Sequence, residues 1–70
     1  MKTADPNDIF AKNLVGLRKM QGMSQEELAD KTNLTRQTVI KYEKGEADPS
    51  ISTLTKFSNV LGAPLDFFFK

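Results

Sequence analysis

The chain contains no cysteine and no histidine. Without thiols there is no disulfide framework and no thiolate zinc site, a composition that suits a reducing cytosol. Without imidazole, the commonest metal ligand and the commonest general base near neutral pH are both missing. The nine Asp and Glu of this small charged chain read as a solvated surface, so no catalytic, metal or cofactor site is expected. The N-terminal MKTADPNDIF has no apolar run long enough for a signal peptide, and no segment approaches a membrane span. A large excess of charge of one sign is lacking too: the formal net charge is +1.

That sum hides an uneven distribution, and distribution matters more than the total for recognising a polyanion. From residue 31 to residue 44 the cations Lys31, Arg36, Lys41 and Lys44 stand against the single acid Glu43. Most of the other acids gather at Asp5 and Asp8, at Glu26, Glu27 and Asp30, and at Glu46 and Asp48. A dipolar molecule with one cationic face follows. Its 70 residues make one domain. This is near the lower limit for a self-supporting core, with a stability margin of about 3 to 5 kcal/mol.

The most informative stretch is Ser24 to Gly45, SQEELADKTNLTRQTVIKYEKG. Ser24 and Glu27 form the pattern of a capping box, which starts a helix at Gln25. Leu28 and Ala29 are its inward residues, and Ala29 is small enough for a second helix to cross closely over it. Thr32, Asn33 and Leu34 make a corner, with Asn33 as the best non-glycine for a left-handed backbone position. Thr35 caps a second helix that runs to a stop at Gly45, with Val39 and Tyr42 facing in beside Leu34. Arg36, Gln37, Ile40, Lys41 and Lys44 are left on its opposite face. These side-chain types match the edges of base pairs: Arg forks onto guanine, Gln pairs with adenine, and an apolar group meets the thymine methyl.

The flanks complete an all-α pattern. Residues 1–7 carry no periodicity and are expected to be mobile, leaving 8–70 as the folded domain. Asn7 or Asp8 caps a first helix whose apolar stripe is Phe10, Leu14, Leu17 and Met20, and Gly22 ends it. Gly16, inside this helix, either permits close packing or is tolerated on the exposed side. Ser50 caps a fourth helix with Ile51, Leu54, Phe57 and Leu61 on its core stripe, terminated by Gly62. Pro64 then opens a short fifth helix, Leu65 to Phe69.

Taken together, LRK at 17–19, GMSQEELA at 22–29, TRQTVIKYEKG at 35–45, DPS at 48–50 and LG at 61–62 resemble the Cro/C1-type helix-turn-helix family of phage repressors and bacterial regulators. The resemblance covers about residues 13–69. It implies a compact five-helix, lambda-repressor-like DNA-binding domain with the helix-turn-helix at helices two and three. It implies a sequence-specific regulator of transcription, a repressor, working in the cytoplasm of a bacterium or from a phage genome. The partner would be double-stranded DNA with a palindromic operator bound by a homodimer.

Residue by residue, the resemblance implies base readout by Arg36, Gln37, Ile40 and Lys41. Phosphate contacts fall to Gln25, at the start of the motif's first helix, and to Thr35, Thr38 and Lys44. It pairs Arg18 with Glu43 in an ion pair between the first and third helices; the alternative is two surface charges that never meet. Ile40 contacts a thymine methyl or packs inward. Phe67 departs from the family pattern, where a charged residue is usual, so Val60, Phe67 and Phe69 form a dimer interface or Phe67 folds back over the core. A second reading of the whole chain is an antitoxin-like interaction module that binds a protein partner through Phe67 and Phe69, with DNA binding secondary.

Overall fold

A computed structural model describes residues 5–70. Helix α1 spans Pro6–Met20, α2 Gln25–Thr32, α3 Arg36–Glu43 and α4 Ile51–Leu61, and a 3₁₀ helix over Leu65–Phe69 closes the fold. All of these described elements are helical.

Four of the five starts are written in short hydrogen-bonded caps. The Asp5 carboxylate accepts from the Asn7 N–H at 2.8 Å, and Pro6 takes the first helical position, where its missing N–H costs nothing. The cap is therefore Asp5 rather than Asn7 or Asp8; Asn7 lies within the helix, Asp8 sits in its first turn, and the expected mobility of residues 1–4 falls outside the described residues. Ser24 and Glu27 make both bonds of a capping box, 3.0 Å and 2.9 Å. Thr35 and Ser50 each accept from the N–H three residues on. Helix α2 ends with Asn33 at φ 59°, ψ 37°, and the Leu34 N–H reaches back to the Ala29 carbonyl at 2.9 Å. This left-handed corner turns the chain by one residue without a glycine.

The core is one cluster centred on Phe10. Its ring meets Tyr42 of α3 edge-on at 6.0 Å, Phe57 of α4 at 6.0 Å, and Phe68 and Phe69 of the 3₁₀ helix at 5.6 Å and 5.9 Å. One aromatic side chain thus touches three other elements, and each such pair contributes about 0.5 to 1.5 kcal/mol beyond area burial. Leu14, Leu28, Val39 and Phe57 are fully buried beside it, with Met23, Leu34, Tyr42 and Val60 packed partly covered around the edge.

Three sequence expectations need correction here. Met20, placed on the core stripe, is 83% exposed, and Ile51 is 73% exposed. Both are terminal residues of their helices, one turn outside Leu17 and Leu54, where the buried stripes of α1 and α4 end. The fifth helix is a single 3₁₀ segment with no side-chain cap, in which Phe68 is buried while Leu65 and Phe69 remain 42% and 43% exposed. Five residues are too few to establish an α-helix, and the tighter 3₁₀ turn directs Phe68 inward. Its carbonyls are held from α1, where the Asn13 amide donates to Phe68 O at 2.9 Å and Phe67 O at 3.2 Å. Gly16 lies on the exposed side, with nothing within 4 Å of an added Cβ.

Candidate nucleic-acid interface

Helix α3 is anchored by one face and offers the other. Val39 is fully buried, Tyr42 packs on the core between Phe10 and Phe57, and Leu34 at the corner packs beside them. The 3.6-residue period then turns Arg36, Gln37 and Lys41 outward, and all three are exposed, as are Thr35 and Lys44 just beyond the two helix ends. Ile40 is half-buried, yet it belongs neither to the core cluster nor to the partly buried side chains packed on it.

The electrostatics of this face depend on where Glu43 goes. Its carboxylate turns away and accepts two bonds from the Arg18 guanidinium, Nε to Oε2 at 2.6 Å and Nη2 to Oε1 at 3.1 Å. The two side chains are 11% and 6% exposed, and Arg18 spends its remaining nitrogen on the Met23 carbonyl at 2.8 Å. This is the sole side-chain ion pair among the described residues, so Arg36, Lys41 and Lys44 have no acidic partner there. A sequence-local acid is neutralised from another helix, and the face of α3 keeps its positive charge.

At the N-terminal edge, the Thr35 and Thr38 hydroxyls bond each other at 2.8 Å while Thr35 caps the helix. Each hydroxyl retains hydrogen-bonding capacity toward solvent. Gln25 Nε2 donates to Glu43 Oε1 at 2.9 Å, which uses one of the two N–H donors of its amide. Among the described residues no group of three His, Cys, Asp or Glu comes together.

The C-terminal surface is built differently. Phe69 lies stacked against Phe10 and Val60 packs on the core, so both are half structural. Phe67 is 36% exposed and lines a groove of about 220 Å³ with Lys12, Asn13, Gly16, Leu17 and Met20. Sequence reasoning missed Met20 and Asn13 in this region. No local pattern marks either, because both are defined by a neighbour some fifty residues away along the chain.

Two short helices joined by a left-handed corner, the second presenting an unpaired cationic stripe, define a helix-turn-helix module. Comparison with known proteins agrees. The helix-turn-helix family model HTH_3 matches residues 16–68, and the chain belongs to this Cro/C1-type family. It is 45% identical over 62 residues, 89% of the chain and 57% of the relative, to YonR of Bacillus subtilis, an SPbeta prophage-derived HTH-type transcriptional regulator. The chain spans about half the length of the curated relatives it matches. Among solved structures, the restriction-modification controller protein C.AhdI from Aeromonas hydrophila superposes with a TM-score of 0.85 at 30% identity, over 90% of this chain and 96% of that one. The same fold forms about a third of hydroxypropylphosphonic acid epoxidase from S. wedmorenis, with a TM-score of 0.88 and 26% identity over 97% of this chain and 36% of the enzyme.

Proposed function

We propose that this domain binds double-stranded DNA sequence-specifically and regulates transcription, as a repressor acting in the cytoplasm. The observation that carries the reading is the exposed face of α3, on which Arg36, Gln37 and Lys41 stand together while Glu43, the acid of that helix, is paired with Arg18. Arg36, Gln37 and Lys41 read base edges in the major groove, and Ile40 supplies an apolar contact to a thymine methyl. Thr35, Thr38 and Lys44 hold the flanking phosphates and set the register without reading sequence. The names of the relatives as transcriptional regulators support the assignment. The reading assigns this domain no catalytic role.

The functional unit is a homodimer on a palindromic site, its two recognition helices about 34 Å apart. With about three cations per protomer near phosphates, log K falls with log salt at a slope near about −5. Phe67, which lines one groove with Met20, supplies together with Val60 and Phe69 the apolar surface for the two-fold contact or for a different protein partner.

The deciding experiment is selection of bound sequences from a randomised duplex library at about 150 mM salt, where weak nonspecific binding is suppressed. The reading requires enrichment of a palindrome that disappears in an Arg36→Ala/Gln37→Ala variant. No enrichment by folded protein would move the assignment to the protein-interaction module.

A further inference from the structure

Helix α3 carries two aliphatic residues, and they are treated differently. Val39 is fully buried, whereas Ile40 is half-buried and stands outside both the core cluster and the side chains packed on it. Arg36 lies four positions before Ile40 and Gln37 three, so the three side chains share one stripe of the helix. Both polar members of the stripe are exposed. Side chains on a helix lean toward its N-terminus, which tips Ile40 back over the turn that carries Arg36 and Gln37. A β-branched residue in a helix is also held in essentially one χ1 rotamer, so its methyl groups have a fixed place beside the polar pair.

Neighbouring Cβ atoms on such a stripe are about 5 to 6 Å apart, and successive bases of one strand are about 3.4 Å apart. With the Arg36 fork on guanine O6 and N7, Ile40 therefore falls over the edge of an adjacent base pair. The feature an aliphatic group can recognise there is the substituent at C5 of a pyrimidine. Thymine has a methyl group at C5 and cytosine a hydrogen. A cytosine methylated at C5 presents the same methyl in the same place, and the purine opposite offers N7 as an acceptor in either pair.

We infer that Ile40 makes this domain a reader of the pyrimidine C5-methyl group, so that cytosine methylation beside a guanine bound by Arg36 raises its affinity for DNA. This rests on the DNA-binding reading above and adds a form of regulation to it. A methylated and an unmethylated duplex share every charge and every hydrogen-bonding group, and the phosphates met by Thr35, Thr38 and Lys44 are the same on both. Discrimination between them falls to the apolar contact. Burying one methyl group corresponds to about a fourfold change in affinity, and to about fifteenfold when both halves of a palindrome carry it.

The test alters the DNA before the protein. Each thymine of the selected duplex is replaced by uracil, which removes the methyl and nothing else, and fluorescence anisotropy locates the position at which affinity drops. At that position the thymine–adenine pair is exchanged for cytosine–guanine and for 5-methylcytosine–guanine. The methylated pair is expected to bind about fourfold more tightly than the unmethylated one per half-site, matching the gain of thymine over uracil. In Ile40→Ala, or in Ile40→Gln where the alanine variant does not fold, both gains vanish while discrimination at the guanine read by Arg36 persists. Thymine and uracil binding alike at every position overturns the inference. So does a position that prefers thymine to uracil yet binds cytosine and 5-methylcytosine equally, and so does a methyl gain that survives in the folded Ile40 variants. Each of these results, obtained with a parent that selects a sequence, leaves the DNA-binding reading standing. A parent that prefers no sequence overturns that reading and this inference with it.

Discussion

The Arg18 guanidinium and the Glu43 carboxylate meet in a two-point contact, 2.6 Å and 3.1 Å, with both side chains almost out of solvent. One residue lies in the last turn of α1 and the other ends α3, so the contact ties the longest helix to α3. Fork-to-carboxylate geometry restricts direction as well as distance, which is why the pair fixes an angle and not merely a proximity.

Removing one partner leaves the other buried and uncompensated. Arg18→Ala is expected to cost about 3 to 5 kcal/mol, a loss comparable to the whole margin of a domain this size. Urea unfolding at 25 °C would show a largely unfolded variant, and a midpoint equal to the parent's would refute the structural role. Arg18→Lys keeps the charge but loses the fork, and should fall between the two.

Two glycines predict opposite responses. Gly16 lies inside α1 with nothing within 4 Å of an added Cβ, so Gly16→Ala should raise stability by about 0.5 to 1 kcal/mol through helix propensity and a less flexible unfolded chain. Gly45 sits at φ +74° and its Cβ would come 2.7 Å from Asp8 Oδ1 and 3.5 Å from the Asn7 carbonyl. Gly45→Ala should therefore destabilise by about 1 kcal/mol or more. Thermal melts of the two variants should move in opposite directions from the parent.

The capping box carries a pH signature. Hydrogen bonds from Ser24, backbone first and hydroxyl second, hold the Glu27 carboxyl below its usual range, with Lys31 adding to the effect. A carboxyl more acidic in the folded state contributes stability that is complete above its unfolded value, about 4.3, and is lost as pH falls through the folded value. Glu27→Gln retains a side-chain oxygen for the Ser24 N–H but cannot titrate. Urea midpoints measured from pH 7 down to pH 3 should fall less steeply for Glu27→Gln than for the parent. Parallel curves would show that Glu27 is not coupled to folding.

The dimer surface makes its own prediction. Phe67 is exposed beside Met20 and contributes its backbone carbonyl, not its ring, to the bond from Asn13. Phe67→Glu should leave the unfolding midpoint within about 0.5 kcal/mol of the parent's stability, as for most surface substitutions. The same variant should shift sedimentation at micromolar concentration toward monomer. An unaltered association balance would exclude this face as the contact between protomers.

The helix-turn-helix was legible in the residues because its determinants act over three or four positions. Ser24 with Glu27, Asn33 at the corner, Thr35 with Thr38 and Ser50 with Thr53 all satisfy helix ends within one turn, and a pattern of that range is readable without the rest of the chain. The inward and outward faces of α3 followed from the helical period, so the exposed Arg36, Gln37 and Lys41 needed no tertiary information. What the period does not say is where a core ends. Met20 and Ile51 continue the apolar stripes of α1 and α4 yet stand in solvent, one turn outside Leu17 and Leu54, the outermost buried residues of those stripes. Likewise, only the tertiary structure decided that Asp5 caps α1, that Asn13 holds the C-terminal 3₁₀ turn and that Gln25 faces Glu43. For the last two the reason is distance along the chain. A hydrogen bond between residues 18 or 55 positions apart exists only once packing brings its donor and acceptor together. For Asp5, three acceptors of similar chemistry lay within four residues, and the selection followed the start of the helix that Phe10 anchors in the core.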